Sequence, residues 1–329
     1  MKSNSFKEKV NKFDFASKLK VCSIISLTLI LIGILVISIF GFKLGIDFTG
    51  GTVVNVKVGS ILEESNNYSI VSTQVGNIVK EHGFSVGYIQ QEGEGEEASV
   101  IIRFQDKTGL TEDQMQEELT LLKEDLEANL SIGNDKLDVT VSNGSRIAAS
   151  SSKSLIINSI LAILLAVILI LIYIAIRFEL LSGLVAILLL FHDVLIMCAL
   201  VAMFRIQINS GFIAALITII GYSINNVIII FDRIRENKKK ESFKGATGKE
   251  LANVSIKEVF SRTMLTALTT MVSIIVLTVV GVASIREFLL PILFGLISGI
   301  YSSTMLAGPI WAFISDKTVS KKSKVRKEN

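Results

Sequence analysis

Long uninterrupted runs of apolar residues dominate the chain. A bilayer core about 30 Å thick is crossed by roughly 20 helical residues rising 1.5 Å each. Five intervals of that length carry no charged side chain: residues 21–42, 154–176, 206–231, 263–285 and 288–315. A sixth, 180–204, is equally apolar except for His192 and Asp193 near its middle. Each predicts a membrane-spanning helix. The first is too long for a secretory signal, and no small-x-small cleavage site follows it, so it is expected to remain as an uncleaved span.

A different pattern fills residues 43–153. Thr52 to Val58 alternates polar and β-branched residues, and Phe84 to Gln90 and Ser99 to Phe104 are β-rich. The Gly/Glu run from Glu92 to Glu97 reads as the turn between the last two. Tyr68 to His82 has helical spacing, with Ile70, Val71, Val75, Ile78 and Val79 on one side. Thr111, with Gln114 three residues on, reads as the capping box of a second helix. Lys136 to Val141 supplies a last strand. The fold class expected is therefore a membrane α-helical bundle of six spans with one external α+β domain between spans one and two. Its order, βαββαβ, is ferredoxin-like, which by itself decides no function.

Charge sets the orientation. The tails 1–20 and 316–329, the Arg177 turn and the loop 232–262 hold 22 of the 33 basic residues. Segment 43–153 holds 9 basic against 18 acidic residues, so both termini and the loop are expected in the cytoplasm and the large domain outside. The basic tail after Asp316 reads first as a headgroup-binding feature. The loop is expected to form an amphipathic surface helix buried along Leu251, Val254, Ile256 and Val259. Cys22 and Cys198 both fall inside spans, where small apolar packing is their expected role. No paired cysteines, GxxxxGK[ST] loop, HExxH or GxSxG motif is present. Neither a metal centre, nor a cofactor, nor a nucleic-acid partner is expected, and ATP hydrolysis has no motif to support it.

Polar residues inside the spans must find partners within the bundle. Thr218, Tyr222, Asn225 and Asn226 recur at helical spacing in span four, and Thr263, Thr266, Thr270 and Ser273 in span five. Gly295, Gly299, Ser302 and Ser303 form a small-residue ridge in span six, the two glycines in GxxxG relation. These three helices are expected to pack as an interior seam. Asp193 is different, because an ionised side chain near mid-membrane costs roughly 2.5 kcal/mol or more. Burial disfavours its charged form, so that a proton could load and leave. Its alternative role is to bond the Asn225 and Asn226 region and fix the bundle. His192 points about 100° away around the helix, need not be its partner, and reads mainly as structural.

Several local motifs resemble the SecF branch of the SecD/SecF family, within the resistance-nodulation-division superfamily of transporters. They are GIDFTGG at Gly45 to Gly51 (including Asp47 and Gly50), the IRFE turn carrying Arg177, and the His192-Asp193 pair. The most specific is GYSINNVIIIFDRIREN from Gly221 to Asn237, carrying Asp232, Arg233 and Arg235. The SRT...LTALTT run with Thr266 and Thr270 and the GIYSS end from Gly299 also agree, and together these cover most of the chain in order.

The resemblance implies a non-enzymatic accessory of the SecYEG channel. It would act with a SecD partner to move exported preproteins with a proton or sodium gradient, with YajC- or YidC-type membrane proteins as further partners. It also implies an aspartate at position 226, where this chain has Asn226. Asparagine coordinates or hydrogen-bonds but carries no proton by ionisation. Coupling would then run through Asp193 and partner carboxylates, or be tuned to sodium. The competing readings are a small-molecule or lipid exporter of the same superfamily and a non-transporting scaffold.

Overall fold

The computed structural model describes residues 10, 12–64, 66–107, 109–142, 146–147, 149–281 and 283–328. Residues 1–9 and 11 of the basic amino-terminal tail lie outside the described residues. Helix α1 spans Leu19–Phe40, and a single turn, α2, spans Ile46–Thr49 before strand β1 (Gly51–Lys57). Then come α3 (Asn67–Glu81), β2 (Ser85–Glu92), β3 (Ser99–Gln105) and α4 (Glu112–Asn129). Short strands β4 (Ser131–Ile132), β5 (Asp135–Lys136), β6 (Thr140–Ser142) and β7 (Arg146–Ile147) follow. The chain ends in α5 (Ala149–Arg177), α6 (Leu180–Met203), α7 (Ser210–Lys238), α8 (Gly248–Val280), α9 (Ala283–Tyr301), a π-helical segment (Ser302–Ala307) and α10 (Gly308–Glu328). Among the described residues six helical stretches are long and apolar enough to cross a membrane, the sixth running through α9, the π segment and α10.

The segment between α1 and α5 is a sheet backed by two helices. Antiparallel pairing gives the order β2-β3-β1-β6, with β7 also on β1. Alternation of side chains along β1 and β3 sends Val54, Val56, Ile102 and Phe104 to one face. There they meet Val71, Val75 and Val79 of α3 and Leu122 and Leu126 of α4. Ile70, expected on that buried side, is instead 40% exposed. The Thr111 capping box is formed: Gln114 N–H donates to the Thr111 hydroxyl and Thr111 N–H to the Gln114 side chain. The last strand, expected as one element over residues 136–141, is broken. Gly133, at φ +64°, turns β4 back onto β5, and only Thr140–Ser142 reaches the edge of β1. A Gly-Asn pair between two strands favours that tight hairpin.

The polar stretch before span five also differs from expectation. Rather than a separate surface helix, α7 continues to Lys238, and α8 runs unbroken from Gly248 into its span. A complete Thr247–Glu250 capping box starts α8. The Asp316 carboxylate accepts from Gly248 N–H (2.6 Å) and Lys249 N–H (3.3 Å), placing an anion where the helix dipole favours it. The buried side is Leu251, Ala252, Ser255 and Ile256, with Val254 and Val259 half-buried. Phe15 closes this end, buried beside Phe260.

The three helices expected in the seam are in contact with one another, α7 and α9 most closely. A Cβ at Gly295 of α9 would lie 2.5 Å from side-chain carbons of Ile219 on α7, whereas one at Gly299 would meet Ser223 at an ordinary 3.5 Å. Within the span portion of α8, residues 263–280, only Thr263 and Ala267 are buried. Thr266 and Ser273 are exposed and Thr270 is half-buried, each donating to a carbonyl of its own helix. Their hydroxyls are thus satisfied within α8. Thr218 is likewise exposed and bonds back to the Ala214 carbonyl. Gly295→Ala should therefore destabilise the bundle by about 1–3 kcal/mol, the scale of overpacking, while Gly299→Ala is nearly neutral. Thermal unfolding of the two variants in the same detergent checks this; equal melting temperatures would contradict it.

Candidate functional site

Helix α6 buries one face through Ser182, Val185, Ala186, Leu189, Leu190, Asp193, Ile196 and Met197, at steps of three and four. Asp193 lies on that face and is completely buried. Its carboxylate is ringed by hydroxyls from α7, α9 and the π segment that continues α9. Ser298 Oγ of α9 donates to Oδ1 at 2.7 Å, and Ser302 Oγ, at the start of the π segment, donates to Oδ2 at 2.7 Å. The Ser223 hydroxyl of α7 also donates to Oδ2. His192 Nδ1 lies 3.0 Å from Oδ1, so the two adjacent side chains do meet, against the expectation drawn from the turn between them. The imidazole stacks on Tyr301, and its buried Nε2 has no partner among the described residues.

The sequence explains why α9 can deliver two hydroxyls. Ser298 and Ser302 are four apart and share a face, adjacent to the Gly295 and Gly299 face that lets α7 approach. The i→i+5 turn beginning at Ser302 locally widens the helix, a deviation often found where a helix serves a site. No lysine or arginine pairs with Asp193 among the described residues.

The asparagines stand apart from this nest. Asn225 is exposed, and Asn226 is buried with its Nδ2 unpartnered among the described residues. Neither is bonded to Asp193 there, because Ser223, one turn earlier on α7, occupies the facing position. Tyr222 Oη and Thr263 Oγ1 are also buried without a described partner. Ser223 and Ser298 carry the site and were not singled out by sequence reasoning. The detectable signal was serine at four-residue spacing beside the glycine ridge.

The remaining motif residues form joints. Gly45 lies against Ile208 and Asn209, and its N–H donates to the Ile208 carbonyl at 2.7 Å. The Asp47 carboxylate accepts from Ser210 N–H at 2.8 Å at the start of α7, again an anion at a helix N-terminus. Gly50 has φ +77° and Gly51 φ +156°; a Cβ at Gly51 would sit 2.4 Å from the Phe104 carbonyl oxygen. Only glycine fits there. Arg177 at the end of α5 pairs with Asp232, which Arg235 also approaches at 3.5 Å. Arg233 pairs with Glu258 at 2.6 Å and Glu236 at 2.7 Å. Gly221 is exposed, with nothing near its Cβ position.

The chain is similar to known proteins along most of its length. Residues 128–317 match the family model described as "Protein export membrane protein SecD/SecF, C-terminal", and residues 35–60 match the "SecD/SecF GG Motif". A "Protein translocase subunit SecF" of Rickettsia bellii is 33% identical over 309 residues, covering 94% of this chain and 95% of that protein. Its counterpart in Rickettsia prowazekii is 31% identical over 310 residues, covering 94% and 93%. The crystal structure of SecDF from Thermus thermophilus, a translocon-associated membrane protein, superposes with a TM-score of 0.70 at 28% identity. That match covers 92% of this chain but spans only 38% of the longer SecDF chain. A second SecDF structure, in a super-membrane-facing form, gives 0.66 at 28% identity over 95% of this chain and 40% of that one. With one family model covering more than half its length, and the buried acid and glycine joint in place, the chain is a multi-pass membrane protein belonging to the SecD/SecF family of protein-export membrane proteins.

Proposed function

We propose that the chain is the SecF-type accessory subunit of a Sec protein-export machinery, promoting preprotein translocation across the cytoplasmic membrane with a SecD partner and an ion gradient. The carrying observation is Asp193, fully buried and held by three serine hydroxyls and an imidazole rather than by a fixed cation. A hydroxyl either donates or accepts. The nest therefore satisfies the carboxylate, which only accepts, and equally the protonated acid, which needs one acceptor for its O–H. A lysine or arginine in place of the serines would hold the ionised form permanently. The same oxygens form a set of hard ligands suited to Na⁺, so the coupling ion is a proton or sodium, and no further cofactor is required.

In this reading Asn226 does not carry the proton by ionisation, and Asn225, exposed on α7, faces the lipid or the SecD partner. The sheet domain is ferredoxin-like, supported by its β2-β3-β1-β6 order, and stands on the outer side of the membrane with both termini in the cytoplasm, supported by the basic residues. SecYEG and, through it, the exported preproteins complete the assembly, with YajC- or YidC-type proteins as accessories and no nucleic acid. The protein works by conformational change and performs no covalent chemistry.

Two measurements follow. In inverted membrane vesicles with an imposed gradient, Asp193→Asn should reduce export to its level without the gradient. Asn226→Asp should strengthen the response to a proton gradient and weaken that to sodium if the chain is tuned to sodium; an unchanged ion preference would remove the sodium version. Independently, Ser302→Ala should cost about 1–3 kcal/mol of unfolding free energy by leaving the buried acid short of a donor. In an Asp193→Ala background the same substitution should cost much less, because residues sharing a hydrogen bond couple. Equal costs in the two backgrounds would mean that the nest does not hold the carboxylate.

A further inference from the structure

Helices α7 and α9 are tied together at two levels. In mid-span both reach Asp193, α7 through Ser223 and α9 through Ser298 and Ser302. At the ends nearest the sheet domain, Asn209, the N-cap of α7, donates from Nδ2 to Glu287 Oε2 of α9 at 2.7 Å. Arg103 of β3 donates to the same oxygen at 3.2 Å. Between the two ties Gly295 packs so close to Ile219 that an added Cβ would lie 2.5 Å from its side-chain carbons. At 1.5 Å per residue, Glu287 stands about 12 Å to one side of Gly295 and Ser302 about 10 Å to the other. The close approach at Gly295 thus lies between two bonded clusters joining the helices.

The cluster by the domain has open space and an unused acceptor beside it. Arg103 and Glu287 are both largely buried, with side chains 21% and 10% exposed. A cavity of about 320 Å³ adjoins them, lined also by Asp47, Gln207, Asn209 and Phe288. Gln207 is 6% exposed, and its Oε1 has no partner among the described residues. A buried acceptor left unpaired costs stability, and here it lines the same cavity as a guanidinium with five donors. Opposite Arg103 the β2–β3 register slips between Val86 and Tyr88, a bulge of the kind that re-aims side chains. Pro291 has no N–H to offer the Glu287 carbonyl four residues back, which frees the turn carrying Glu287 to follow such a shift.

We propose that Arg103, Glu287 and Asn209 form the joint through which a change at the Asp193 nest reaches the sheet domain, with Gln207 Oε1 as the acceptor that Arg103 takes in the second arrangement. The proposal rests on the ion-coupled reading above. When Asp193 changes charge, the serines redistribute and the α7–α9 separation changes about the Gly295–Ile219 contact. The outer tie then opens or tightens, and Arg103 carries that movement directly into β3. Arg103, Glu287, Asn209 and Gln207 act here as positioning residues, since none touches the ion.

The test is hydrogen exchange on the full chain in lipid nanodiscs, read at the β2 and β3 amides around the bulge. Asp193→Asn, which mimics the neutral acid, should change exchange there by about threefold or more, the scale of sites coupled through an intervening network. The change should vanish when Asp193→Asn is combined with Glu287→Gln or Arg103→Gln, persist with Arg103→Lys, and shrink with Gln207→Leu. Each single variant measured alone supplies the baseline, so a merely structural loss appears there and not in the difference. An Asp193→Asn effect of the same size in all backgrounds, or none in the wild type, overturns the joint. Export assays on the same variants separate the two claims. Lost gradient response without propagation to β3 overturns the joint alone, whereas propagation with intact gradient response upholds the joint and removes the ion-coupled reading.

Discussion

A carboxylate placed in the middle of an apolar helix must be satisfied without water, and much of the bundle's architecture answers that requirement. An isolated charge at this depth would cost several kcal/mol. Three hydroxyls and an imidazole meet Asp193 instead. Hydroxyl side chains are short, so the helices bearing them must come close. Gly295 and Gly299 on α9 permit that approach to α7, and the π segment opening at Ser302 sets the second serine into range. In lipid, where apolar side chains gain little by leaving the solvent, such close packing and interhelical hydrogen bonding supply the association energy. The site and the packing are therefore one arrangement rather than a site added to a scaffold.

The same economy appears at the opposite ends of the helices. Asp47 and Asp316 each place a carboxylate at a helix N-terminus contributed by another part of the chain, α7 and α8 respectively. Arg177 and Asp232 tie α5 to α7 across the bundle. The glycine-rich entry to the sheet domain lets Gly45 run against Ile208 and Gly51 against Phe104, so the domain is held at its root. A domain anchored at several points near the helix ends is placed to respond to small helix movements, which a long flexible tether would absorb.

The spans were legible because hydropathy over some twenty residues is a strong signal, and Asp193 because a lone acid within one is conspicuous. The partners of Asp193 were not. Serine in a span usually bonds back to its own helix, as Thr266 and Thr270 do, and nothing in a single sequence separates that behaviour from bonding across helices. Periodicity places Thr263 inside correctly but puts Thr218, Asn225, Thr266 and Ser273 there too, and these are exposed; periodicity gives a face and not what the face meets. The continuous α8 was missed because polar composition suggested a boundary where the capping box had already begun a helix. The last strand is split at Leu137–Val139, where Leu137 N–H bonds to the Leu130 carbonyl instead of to β1, a local pairing that β propensity alone does not show.

In the proposed function Asp193 changes its protonation or ion occupancy within the serine nest. Infrared difference spectroscopy of the full chain in lipid, recorded as pH is stepped, tests this most directly. The expected result is a protonated-carboxyl band that appears and disappears reversibly with pH, is absent in Asp193→Asn, and shifts in Ser302→Ala as its hydrogen bonding changes. If sodium is the coupling ion, added sodium should suppress the band in the wild type. A chain in which no pH- or sodium-dependent band is lost with Asp193→Asn would hold a fixed acid there, and the nest would be a packing device and nothing more.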